Sequence, residues 1–224
     1  MSAGFVESQV SNYMQNAYDE YVRMMSSLDS YQDDGIEKLC NNWQSNKGKE
    51  KITELVTDLN KMIDVINSNL QKLFEAINKM ADIIARDSGG ISYQKVTFKP
   101  IEDHFSSQNA KNDEEAGNVA QWDLTKTNEG VNAIKEYLRV IGQDSMRKIS
   151  DLLDAVAENI YYSEAGHEIS GSVKILASKI TELSYKISKG LDGWEEEYLS
   201  DASAHKVNVS ELSDKSPIDL DLDF

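Results

Sequence analysis

Asp87-Ser88-Gly89-Gly90 sets an acid and a hydroxyl beside two glycines, the raw material of a serine nucleophile. Nucleophiles of that kind depend on a rigid geometry that sequence letters alone do not supply. Here the letters fall where a long apolar-striped segment must stop, so a glycine C-cap is the reading. His104, His167 and His205 stand far apart, and none has the spacing of a metal pair such as HExxH. Cys40 is the single cysteine, which rules out an intramolecular disulfide and fits a reducing compartment. It reads as a small buried residue, with an exposed thiol joining two molecules as the alternative. Neither GxxxxGK[ST] nor GxGxxG occurs. The expectation is a chain with no catalytic, cofactor-binding or metal-ligating residues, and no enzyme.

Charge narrows the partners. The net charge is −16, which argues against nucleic acid, since phosphate recognition needs a basic footprint. The same sign disfavours anionic lipid surfaces, and no stretch reaches the apolar length of a membrane span. Proteins are the expected partners, and a homodimer is allowed. From Glu195 to Phe224 nine acids face only Lys206 and Lys215, the pattern of a solvated, flexible tail over 201–224. MSAGFVESQVSNYMQ lacks the basic start and apolar core of a signal peptide, so any export is expected to use another route.

The elements that would position any site are helical. Ile52, Leu55, Val56, Leu59, Met62, Ile63, Ile66, Leu70, Leu73, Phe74 and Ile77 recur at threes and fours without an intervening proline or glycine. Residues 5–40 carry a noisier stripe with a kink expected at Asp33-Asp34-Gly35, and the polar turn CNNWQSNKGKE joins the two into a hairpin. A second pair of stripes follows, Val131 to Ile160 and Ile169 to Tyr198, with a turn near Gly166. The fold class is therefore all-α: two long helical hairpins packed antiparallel as a four-helix bundle. The segments read as a hairpin over 1–88, a long irregular linker over 89–127, a second hairpin over 128–200 and the acidic tail. Within the linker, Ile91 to Phe98 reads as a short strand or as an extended strip lying on the bundle. A connection of this length suits hairpins whose turns lie at opposite ends, since it must travel roughly 55 Å of helix.

The run LCNNWQSNKGKEKITELVTDLNKMIDVINSNLQKLFEAINKMADIIARD resembles the WXG family of helical-hairpin substrates of type VII secretion. The likeness covers about residues 1–90. In that family a W-x-G turn joins two helices; here the turn is Trp43-Gln44-Ser45, with serine in the glycine position. The family's export code pairs the Trp turn with a Y-x-x-x-D/E at the end of a partner's helix, and Tyr198-Leu199-Ser200-Asp201 is the same pattern one residue shorter. The resemblance implies that Trp43, Gln44, Ser45, Tyr198 and Asp201 form a secretion signal or partner-binding surface within one chain. It also implies export in the folded state, from the cytoplasm to the medium or the cell surface, by a signal-peptide-independent route. The implied partners are the secretion system's membrane ATPase or a cognate secreted protein. Trp43 is then expected to be at least partly exposed; a tryptophan that caps the core at the hairpin end is the other reading. An intracellular chaperone for a secreted toxin and an unrelated cytoplasmic scaffold are the alternatives.

Overall fold

The computed structural model describes residues 7–87, 93–117, 120–159 and 164–214. Its regular structure is helical: α1 (Glu7–Ser26), α2 (Leu28–Tyr31), α3 (Lys38–Asn42), α4 (Asn46–Asp87), α5 (Asp113–Ala116), α6 (Leu124–Arg139), α7 (Met146–Asn159), α8 (Glu164–Gly190) and α9 (Trp194–Asp214). A π-helical turn at Gln32–Glu37 joins α2 to α3, and another at Val140–Ser145 joins α6 to α7. The first of these coincides with the kink expected at Asp33-Asp34-Gly35. The glycine cap expected at 88–90 lies outside the described residues, and Gly166, expected in a turn, lies inside α8, which starts at Glu164.

Contacts fix the directions. Lys38 meets Glu129, the rings of Tyr31 and Tyr137 lie 5.0 Å apart, and Lys148 meets Glu20, so the α1–α3 segment runs opposite to α6–α7. Ser170 of α8 bonds Asp154 of α7, and Thr181 Oγ1 donates to Gly142 O at 2.7 Å, so α8 returns along α7. Ser184 of α8 packs on Met62 and Glu197 of α9 pairs with Lys51, so α8 and α9 run opposite to α4. The apolar stripe of α4 is buried from Ile52 to Ile77, as its period requires. At one crossing, bulk is excluded: a Cβ on Gly130 would lie 2.9 Å from Gly35 O, and one on Gly35 only 2.4 Å from Ile134 Cδ1.

Residues 93–112 form no strand. They lie as an extended strip between α1–α3 and α4, with Val96, Phe98, Phe105 and Ala110 buried. Phe98 packs on Tyr18 and Tyr21 of α1 and Phe74 of α4, at centroid distances of 5.7, 4.6 and 5.2 Å. Backbone buried this way must find partners, and helix side chains supply them. Asn78 Nδ2 donates to Val96 O at 2.8 Å and Asn67 Nδ2 to Ile101 O at 2.9 Å, while the Ile101 N–H donates to the Tyr21 hydroxyl. Asn60 takes both backbone groups of Phe105, and Gln32 both of Ser106, at 2.9 Å each.

Several boundaries differ from the sequence reading. The linker ends at Asp123, whose side chain caps α6 by accepting from Lys126 N, so the helix starts at Leu124 rather than at 128. The stripe read as one helix through Tyr198 breaks at 191–193, where the backbone tightens into a turn and Trp194 N donates to Leu191 O. The segment 201–214 continues α9 rather than forming a tail, and Asp201 and His205 in its first part have partners elsewhere in the molecule; 215–224 lie outside the described residues. Cys40 is fully buried and burial pushes its thiol up to about 12, which removes it as a surface crosslink.

Leu183 reads from its stripe as a core residue but is only half-buried, and the buried neighbour is Ser184. Leu70→Ala should therefore lower unfolding free energy by about 2–5 kcal/mol, and Leu183→Ala by at least about 1 kcal/mol less. Urea melts of both variants check this; equal losses would contradict the placement of Leu183.

Candidate functional site

Trp43 ends α3 with φ −132° and ψ 71°, a conformation outside the helix, and its backbone pairs with Trp122 in an isolated antiparallel bridge. Gln44 N donates to Gln121 O, Asp123 N donates to Asn42 O, and the Gln44 side chain accepts from Gln121 N at 3.2 Å. The buried Gln44 therefore stitches the turn to the chain entering α6. Ser45 is the N-cap of α4: its Oγ accepts from Gly48 N at 2.9 Å, satisfying one of the free amides of the first turn. That cap gives Ser45 a structural role at the start of α4.

Trp43 itself is 0% exposed, against the expectation of partial exposure. Its indole is boxed in by Trp194 and Tyr198 of α9, with ring centroids at 5.4 and 5.9 Å, both edge-to-face. Gly48 closes another side, where a Cβ would come 2.3 Å from Trp43 O. The indole N–H donates to Asp201 Oδ2 at 2.8 Å, and Ser45 Oγ donates to the same oxygen at 2.6 Å. Burial pushes the Tyr198 phenol up to about 12. All five residues read from the sequence thus meet at one end of the molecule, held by direct contact rather than displayed to solvent.

Four more residues belong to the cluster. Trp194 is the first residue of α9, Trp122 comes from the bridge, and the His205 ring lies against Trp122 at 4.6 Å. His205 Nε2 lies 2.9 Å from Asp113 Oδ1 and its Nδ1 lies 2.9 Å from Asp201 O. Asp113 also accepts from Asn46 at the start of α4. Both ring nitrogens of His205 therefore face oxygen acceptors, which only the protonated imidazole can satisfy with two donors. Burial works against the charge, but the bonds to Asp201 O and Asp113 outweigh it and raise the His205 pKa. His104 is held alike, between Asp64 and Glu102 O, and the Asp64 bond raises its pKa. The outer face of α9 is different. Glu195, Glu196, Leu199, Ser200 and Ser203 are exposed, with Leu199 45% accessible. Among the described residues no group of three or more His, Cys, Asp or Glu could hold a metal ion, and no helix is long and apolar enough to cross a membrane.

Two predictions follow from this packing. Trp43→Phe keeps much of the ring contact but removes the N–H, so it should lower stability by about 1–3 kcal/mol, while Trp43→Ala should lose about 3–5 kcal/mol; chemical melts give both values. For the histidines, a folded pKa above the unfolded value of about 6.5 contributes stability that is fully present below that pH and lost as pH rises through the folded value. Melts at pH 6 and pH 8 should show the protein more stable at the lower pH by a margin that shrinks in a His104→Asn/His205→Asn variant. NMR titration should place both imidazoles above the ordinary histidine range.

Comparison with protein-family models, with curated proteins and with solved structures returns no match for this chain.

Proposed function

We propose that this chain is a non-enzymatic substrate or adaptor of a type VII secretion system, exported folded, with two helical hairpins packed antiparallel as a four-helix bundle. The reading rests on the resemblance of residues 1–90 to the WXG family together with one juxtaposition. The Trp43 turn and the Tyr198–Asp201 segment, 158 residues apart at the Trp43–Asp201 bond, meet at one end of a single chain. The family-like pattern implies two such elements contributed by two subunits; here one chain supplies both. The opposed directions of α1 and α7, of α7 and α8, and of α4 and α8 support the bundle.

Burial of Trp43 changes how such a surface would be read. The indole sets the position of α9, and the outward face of α9 carries the recognition. Leu199 is the apolar member of that face, flanked by Glu195, Glu196 and Ser203 at helical spacing. The partner is the membrane ATPase of the system or a cognate secreted protein, met in the cytoplasm before release to the medium or cell surface.

The test separates recognition from stability. Leu199→Asp alters the exposed face without touching the Trp43–Asp201 bond, so its melting temperature should match the unsubstituted protein. Its secretion from a host carrying a type VII system should fall at least about tenfold, the loss expected when an anchor contributing ~1.4 kcal/mol or more is removed. Normal export of Leu199→Asp would rule out recognition through this face.

A further inference from the structure

The backbone of the extended strip along α1–α3 and α4 is bonded by helix side chains, and strip side chains such as Tyr93, Lys95 and His104 add bonds of their own to α4. Asn78, Asn67, Asn60 and Gln32 donate to the carbonyls of Val96, Ile101, Phe105 and Ser106. Tyr21, Asn60 and Gln32 accept from the N–H groups of Ile101, Phe105 and Ser106. Three side chains of the strip, Val96, Phe98 and Phe105, are sunk to 7% exposure or less. Main-chain bonds for affinity and a few pockets for specificity are how proteins bind extended peptides.

A segment that only connects two hairpins could cross the surface and leave its amides to water. This one runs in a groove along α1 and α4, which meet at the Tyr21–Asn67 bond, and sets Phe98 against rings from both. Removing it would leave an apolar cleft edged by side-chain amides already aimed at a backbone.

We propose that the cleft between α1–α3 and α4 is a peptide-binding site, filled in this molecule by its own residues 93–107. Its ligand in trans is an extended segment of another protein with apolar side chains matching Val96, Phe98 and Phe105. The proposal does not depend on the secretion reading. Because the strip is tethered, it competes at an effective concentration of order millimolar. The unmodified chain therefore resists exchange, and loosening the strip opens the cleft.

The experiment uses the full chain and a fluorescent peptide copy of residues 93–107, followed by anisotropy. Pro100→Gly/Ile101→Gly raises the entropy of the strip while keeping its three buried side chains. This variant should bind the peptide saturably and at least about tenfold more tightly than the unsubstituted chain. N-methylation of the peptide at the Phe105 position removes the donor to Asn60 and should weaken binding about tenfold. A peptide shuffled everywhere except the Val96, Phe98 and Phe105 positions should bind within about threefold of the original. Should the double variant lose its helical dichroism, Val96→Ala is measured in the same way. Absence of saturable binding by a loosened chain that remains helical overturns the proposal. So does tolerance of N-methylation combined with failure of the shuffled peptide. Dimers of the loosened chain formed without peptide would overturn it too, assigning the cleft to the strip of a second copy.

Discussion

A buried indole N–H has to be given an acceptor, and at Trp43 that requirement ties the first hairpin to the last helix. Asp201 meets it, and the same carboxylate oxygen takes the Ser45 hydroxyl. The turn at 191–193 separates α8 from α9, which carries Asp201 to that place. Trp194 and Tyr198 then close over the ring, while His205 reaches Asp113 and lies on Trp122. An unsatisfied buried donor would cost about 1–3 kcal/mol, enough to favour this arrangement over one with α9 displaced. The end of the molecule is thus a consequence of one hydrogen bond and the geometry needed to make it.

A second constraint acts along the length of the chain. A connection of extended backbone inside a helical protein cannot borrow partners from a sheet, so its polar groups must be met by side chains. Amides are suited to this, since each carries both a donor and an acceptor and can take both backbone groups of one residue. Asn60 and Gln32 do so. The Tyr21 hydroxyl accepts from Ile101 N and donates to Asn67, which in turn donates to Ile101 O, closing a ring of bonds around one residue. The apolar side chains between these points pack the space that the amides leave.

Much of this was legible in the sequence, for reasons that differ by element. The stripe of α4 is read correctly from Ile52 to Ile77 because a straight helix keeps its period for its whole length. The stripe through Leu183 is read less well, since the period was carried unbroken through 191–193 and Ser184, packed on Met62, holds the inward place. Partial exposure of Trp43 is what a signal role requires, and its polar neighbours Asn42, Gln44 and Ser45 fit that reading. Each of those side chains instead has a partner within the protein, in Lys38 O, Asn41 O and Asp201. The parts played by Trp122, Trp194, His205 and Asp113 depend on tertiary approach that no local pattern encodes. One local pattern does bear on the strip. Asn60, Asn67 and Asn78 recur at seven and eleven residues, a spacing that places them in one line along α4.

The gathering of every tryptophan of the chain at one end has an optical consequence. Indole emission excited beyond the tyrosine band arises from the junction of the Trp43 turn, the α6 entrance and α9, and from nowhere else in the protein. Far-ultraviolet dichroism, by contrast, weights every helical residue equally. Followed together through a denaturant titration, the two signals distinguish opening of that junction from collapse of the helical array. Coincident midpoints mean that the last helix is an integral part of one cooperative unit. An earlier change in emission means that it is a separately released piece, and the gap between the curves measures its independence.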